Sequence, residues 1–251
     1  MLDWLQVLCP QPETINHWEN HQCWSAPKAA KKLMGEYCIP STVEVDQFGS
    51  VIGQFRAPQF GEPVVLLDAH IDQIGLVVTG YEENGFLKAA AYGGMDRRVM
   101  IAQGVLLFSQ KEGRWLSGVV ASIPPHLTKS EDRDSVPEIT DLLIDTGLTK
   151  AEAEDKFPLG SFAILAAPFH QLGETRVNGS GLDDRAGLAT LLGVLELLKD
   201  APLHCGITLL FSNREEVNSA GAQTAGYRIH PDLVLAVDVS FADGPGIPKD
   251  K

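Results

Sequence analysis

The chain has 251 residues, 44% of them apolar, and a formal charge of −13 from 33 acids set against 20 Lys and Arg. That apolar content specifies a globular protein of one large domain or two, and it excludes a disordered chain. The acidic balance argues against nucleic acid and anionic membranes as partners, because both would repel it. It is compatible with a soluble surface and with carboxylates committed to cations.

The four cysteines, Cys9, Cys23, Cys38 and Cys205, form no C-x-x-C pair and no disulfide framework. The start, "MLDWLQVLCP", lacks the basic and long apolar regions of a secretory signal. No run reaches the about 20 apolar residues of a membrane span. The expected compartment is the reducing cytoplasm.

In chain order, "SAPKAAKKLMGEYC" (25–38) predicts a helix, with Ser25 placed to cap and Pro27 in the first turn. "STVEVDQFGSVIGQF" alternates around a turn at Gln47–Gly49, as a hairpin does. Pro63–Leu67 predicts a short buried strand, which puts His70 and Asp72 at or just past its end. From Ile74 to Phe169, short alternating segments separated by glycine-containing turns predict a small β-barrel or sandwich. A short helix is expected near Thr149–Lys156.

After Gly173 the pattern changes. Residues 183–200 predict an apolar-faced helix, "GITLLFS" (206–212) a buried strand, 219–229 a small-residue helix and "DLVLAVDVS" (232–240) another buried strand. Alternating strands and helices imply an α/β fold with a mostly parallel sheet and helices on both faces. The expected organisation is an α/β domain from 1–73 and 170–251, with 74–169 as an inserted β-rich domain.

Four polar clusters fall at equivalent places in this scheme. His70 and Asp72 follow one strand, Asp183 and Asp184 precede a helix, Glu215 and Glu216 follow "GITLLFS", and Asp238 lies near the end of "LVLAVDV". Each has an ordinary explanation. His and Asp are common at strand ends, Asp183 and Asp184 suit a helix N-terminus, and Glu215 and Glu216 suit a solvated turn. Asp238 is harder to dismiss, since within an apolar strand a bare charge is expensive. Open α/β sheets bind ligands at the carboxyl ends of their strands, and all four clusters are expected there. One His with at least three carboxylates and no thiolate suits Zn²⁺, Co²⁺ or Mn²⁺. Several carboxylates around one His suggest two ions sharing a bridging group.

The stretches "AHIDQIGLVV", "PPHL" followed by "VPEITDLLIDTG", "GLDDRAGLATLL", "REEVNSAGAQTA" and "DLVLAVDVSFADGPG" occur in one order over nearly the whole chain. In that order they resemble the M42 metallo-aminopeptidases, the glutamyl and leucyl type once also labelled endoglucanase M. The resemblance implies that His70 ligates one metal and that Asp72 orients it. It implies that Asp183 bridges two metals, that Glu216 ligates the second, and that Asp238 joins His70 on the first. Glu215 resembles the general base that activates water, and the catalytic residues are thus Glu215 and Asp72. The inserted module resembles a PDZ-like dimerisation domain. The implied cofactors are two divalent ions per subunit, the implied substrates are peptides trimmed from their N-termini, and the implied assembly is a homo-oligomer from dimer to dodecamer.

The chain departs from the family pattern in three places. Asn218 and Ser219 follow the paired glutamates where the family has Gly-Leu, and Gly49 is followed by Ser50 rather than Asn. The family also continues past "DGPGIP" to a further histidine for the metal held by Glu216, whereas this sequence stops at Lys251. On the resemblance, one metal site is therefore expected to be incomplete, and the activity of this 251-residue form is left open. The alternative is a non-catalytic or fragmentary relative acting as a binding or oligomer subunit. A carbohydrate hydrolase would need two carboxylates placed across a sugar, which the His-x-Asp and Asp-Asp-Arg clusters do not call for.

Overall fold

Residue contacts divide the chain into two units, one containing Pro27–Asp72 and everything from Leu182, the other containing Gln73–Gly181. The computed structural model describes Leu5, residues 25–124, 126–127, 135–244 and Gly246.

The first unit begins with helix α1 (Ser25–Tyr37), followed by strands β1 (Glu44–Val45), β2 (Val51–Arg56) and β3 (Val64–His70). β3 ends on His70 itself. The second unit supplies β4 (Gly75–Tyr81), β5 (Leu87–Tyr92), β6 (Gly104–Ser109), β7 (Arg114–Val120), β8 (Leu143–Asp145), helix α2 (Lys150–Lys156), β9 (Phe162–Leu165) and the pair β10 (His170–Leu172) and β11 (Arg176–Asn178). The chain returns to the first unit with helix α3 (Leu182–Leu198), β12 (Gly206–Ser212), the short helix α4 (Glu215–Asn218), α5 (Ala220–Ile229) and β13 (Leu233–Ala236).

The sheet of the first unit has the order β1-β2-β12-β3-β13. β12, β3 and β13 run parallel, and β2 pairs antiparallel with β12. The sheet is thus mixed, with its parallel part at β12-β3-β13. Every residue of β12 is buried, as expected of a strand with neighbours on both sides and helices on both faces. Ile52, Leu66 and Leu210 pack against Ala225 and Ile229 of α5 on one face. On the other, Gly53 lies against Met34 and Cys38 at the end of α1. Successive strand residues alternate between faces, so Leu66, Asp68 and His70 share the face that α5 covers.

The second unit is a closed barrel in the order β4-β5-β8-β7-β6-β9. Its core includes Leu76, Val78, Leu87, Leu107 and Ile144, joined by Ala153 from α2 and Phe157 just after it. Thr149 and Glu152 form a reciprocal capping box at the start of α2, which satisfies donors a short helix would otherwise leave open. The β10–β11 hairpin groups with this unit, so the second join falls at Gly181–Leu182 and not after residue 169. The reason lies in local bonding: Ser180 N–H donates to Ala167 O at 2.9 Å, and Gln73 Nε2 donates to Ser180 Oγ at 3.3 Å. Among the described residues, no helix is long and apolar enough to cross a membrane.

Candidate metal centre

The parallel register aligns three strand ends. Ser212 of β12 sits opposite His70 of β3, and Ala236 of β13 sits opposite Asp68. The residues just past these ends, together with the start of α3, therefore meet at one edge of the sheet.

His70 is the buried centre of this edge, with its side chain 3% exposed. Its Nδ1 lies 3.1 Å from the backbone carbonyl of Asp72 and 3.5 Å from Asp72 Oδ1. Two acceptors on that side place a proton on Nδ1 and turn Nε2 toward the carboxylates. Nε2 lies 2.9 Å from Asp183 Oδ1 and 4.0 Å from Glu215 Oε2. The carboxylate of Asp72 also accepts the backbone N–H of Glu215 at 3.0 Å and of Glu216 at 3.3 Å. One side chain thus orients the imidazole and holds the first turn that carries both glutamates.

Two groups of donors lie within metal-ligand reach. Ligand atoms of His70, Asp183 and Glu216 are mutually within 4.8 Å, and so are those of His70, Asp184 and Asp238. His70 is common to both groups. Two details differ from the sequence reading. Asp238 groups with His70 through Asp184, and not through Asp183. It is also exposed rather than buried, as is every residue of β13, the last strand of the sheet order. The burial argument for Asp238 therefore falls.

Asp184 is the residue that sequence reasoning passed over in favour of a cap. It does cap: Asp184 Oδ1 accepts the N–H of Gly187 at 3.0 Å. Asp183 and Asp184 keep non-helical backbone angles, so regular helix geometry starts only after them. Asp184 is nonetheless completely buried, and its Oδ2 has no hydrogen-bond partner. A doubled Asp was the available signal, since a helix N-terminus needs only one capping side chain.

The electrostatics describe a site short of positive charge. Burial raises the Asp184 carboxyl to about 7; the Gly187 N–H opposes this and the nearby Asp238 adds to it. Glu216 is also raised, first by burial and then by Asp183. For His70, burial would lower the pKa, but hydrogen bonds and charge from Asp72, Asp183 and Asp184 override it and lift the imidazole to about 9. Carboxylates pushed toward neutrality around one over-basic imidazole, with an orphaned buried oxygen, are what a divalent cation would relieve. The N/O donor set fits a borderline or hard ion.

The family model of the M42 glutamyl aminopeptidases matches residues 49–251. The lysyl aminopeptidase of Pyrococcus furiosus is 31% identical over 210 residues, covering 82% of this chain and 59% of the relative. The chain therefore spans about three fifths of that relative's length. Among solved structures, a TET aminopeptidase from a marine sediment archaeon (Thaumarchaeota archaeon SCGC AB-539-E09) superposes with a TM-score of 0.84 at 27% identity, covering 98% of this chain and 67% of that one. The TET1 peptidase of Pyrococcus horikoshii, which can assemble into a tetrahedron or a large octahedral shell, gives 0.76 at 28% identity, covering 90% and 68%.

Proposed function

Because the chain belongs to the M42 glutamyl aminopeptidase family, we propose that it contributes the metal centre of an aminopeptidase that removes N-terminal residues from peptides. The observation that carries this reading is the convergence of His70, Asp183 and Glu216, and of His70, Asp184 and Asp238, at the carboxyl edge of one sheet.

In this reading His70, Asp183, Glu216 and Asp238 hold divalent ions of the Zn, Co or Mn class. Asp183, whose carboxylate lies within reach of His70 and Glu216, would be the shared ligand on the family resemblance alone. Asp184 stands behind His70 and Asp238 as a buried counter-charge. When bound, the ions would supply Lewis acidity toward a peptide carbonyl and make a nearby water more acidic.

The remaining chemistry belongs to the side chains. Glu215 is the general base: its carboxylate is 43% exposed and its Oε2 is 4.0 Å from His70 Nε2, so it faces both the donor cluster and solvent. It would take a proton from the attacking water and return it to the leaving amine. Asp72 orients His70 and fixes the main chain of Glu215 and Glu216. The first unit would be the catalytic domain and the barrel the oligomerisation domain, with a cytoplasmic, multi-subunit assembly of the kind its TET relatives form.

The test is turnover of aminoacyl-nitroanilides by the purified chain loaded with Zn²⁺ or Co²⁺, alongside Glu215→Gln. The expected result is metal retained in Glu215→Gln and loss of whatever turnover the parent shows. Loss of the metal in that variant would show Glu215 to be a ligand. Absence of metal binding in the parent would favour a non-catalytic subunit.

A further inference from the structure

We propose that Asn213 is a positioning residue for the Glu215–Glu216 pair, latching it to the turn between β1 and β2 through Phe48. The inference rests on the reading that this pair serves the metal centre.

Asn213 is the first residue past β12 and lies two positions before Glu215. Both its backbone and its side-chain polar groups are engaged. Its backbone N–H donates to Ser50 Oγ at 3.1 Å, and Nδ2 donates to the carbonyl of Phe48 at 2.7 Å. Its Oδ1 accepts the N–H of Arg214 at 3.0 Å, and its carbonyl accepts the N–H of Gly221 at 3.0 Å. The packing here leaves no slack. An ideal Cβ on Gly221 would come within 2.3 Å of Asn213 O and 2.5 Å of Ser50 Oγ.

The turn that receives Asn213 is itself fixed. Asp46 Oδ1 accepts the N–H groups of Phe48 at 2.8 Å and Ser50 at 2.9 Å, and Ser50 is fully buried. Phe48 also holds the next residue, because the Arg214 guanidinium lies 5.1 Å from the centre of its ring, a cation–π distance. Arg214 has φ +67° and Ser219 φ +55°, so two non-glycine residues in left-handed conformations bracket α4. Such conformations persist only where the surroundings over-determine them. Here the surroundings are Phe48 ahead of the glutamates and Asp72 at their own N–H groups. Asp46, Phe48 and Ser50 belong to neither group of candidate metal donors. Asn213 and Arg214 thus connect the turn between β1 and β2 to the glutamates.

A purely structural role for Asn213 would lower stability and leave the metal site alone. The two are separated by titrating the metal-free, full 251-residue chain with Co²⁺, following visible absorption and heat. Asn213→Asp keeps the acceptor for Arg214 but loses the donor to Phe48 at almost unchanged volume. Asn213→Ala loses both, and Phe48→Ala removes only the ring. Leu107→Ala, in the barrel core, serves as an equally destabilising control.

Both Asn213 variants should bind Co²⁺ about tenfold or more weakly with an altered absorption envelope, as loss of an orienting contact does. Phe48→Ala should change affinity in the same direction by a smaller factor, and Leu107→Ala should leave it unchanged. Where the parent turns over substrate, kcat should fall with KM held within about twofold. If the Asn213 variants bind Co²⁺ like the parent, or if Leu107→Ala weakens binding as much, the inference is overturned while the metal reading survives. If the parent binds no Co²⁺, the metal reading fails and the inference falls with it.

Discussion

Asp72 accepts the backbone N–H of Glu215 through Oδ1 at 3.0 Å across 143 residues of sequence; the same oxygen lies 3.5 Å from His70 Nδ1, and Oδ2 accepts the N–H of Glu216 at 3.3 Å. A carboxylate here does two tasks that an amide cannot do together, because one end of an amide would present donors to donors. Asp72→Asn should therefore weaken metal affinity by about 10- to 100-fold, the usual penalty for losing an orienting partner. Competition with a chromogenic chelator measures this. An unchanged affinity would remove Asp72 from the site.

Metal binding should release protons. In the metal-free protein His70 is raised to about 9 and Asp184 to about 7, so at pH 7 the imidazole is charged and Asp184 is partly protonated. A ligating imidazole must be neutral, so Zn²⁺ must displace its proton. The apparent affinity should rise as pH increases from 6 to 9. Calorimetry in two buffers of different ionisation enthalpy would count between about one and two protons released at pH 7.

The same shifts set the stability of the metal-free chain. Both groups have raised folded-state pKa values, so the stability linked to His70 is fully present below its ordinary 6.5 and is lost as pH climbs through about 9. For Asp184, the loss occurs from its ordinary 3.8 up through about 7. The melting temperature of the metal-free protein should fall between pH 6 and 9. Bound Zn²⁺ should flatten that slope; an identical slope with and without metal would refute the linkage.

Asp184 should separate into two roles by substitution. Asn caps a helix nearly as well as Asp, so Asp184→Asn should keep α3 and lose only the counter-charge, reducing Zn²⁺ affinity. Asp184→Ala should lose the cap as well and cost about 1 kcal/mol more in stability. Urea unfolding of the metal-free variants reads the second effect and metal titration the first.

Cys38 should be silent toward alkylation in the folded protein. Burial pushes its thiol up to about 12 and encloses it in the core. Iodoacetamide at pH 8 should label it only after unfolding, as peptide mass mapping would show. Labelling of native Cys38 would mean that α1 leaves the sheet readily.

Local pattern determined most of the elements. β12 is an unbroken apolar run and lies between neighbours, and the helices at 25–37 and 220–229 start and stop close to where composition puts them. The short alternating segments of 74–169 announced a small β-barrel or sandwich, because alternation reports which face of each strand is buried; the closure is seen only in the fold. The ordered His-x-Asp, Asp-Asp-Arg and Glu-Glu stretches were enough to indicate the family.

What lay outside the sequence's reach depends on distance in space. That β3 ends on His70 agrees with its apolar run, and pairing carries it there: β12 accompanies it to His70, whereas β13 stops at Asp68. The exposure of Asp238 goes with that of the whole of β13, at the end of the sheet order. Asp184 looks like a cap in sequence and is one, yet only folding shows its second oxygen buried without a partner beside His70. The link from Phe48 to Asn213 joins residues 165 apart. Sequence specifies which groups are available and on which face of an element they start. Which of them share a few ångströms is decided by strand register and helix packing, and those are set by contacts between residues far apart in the chain.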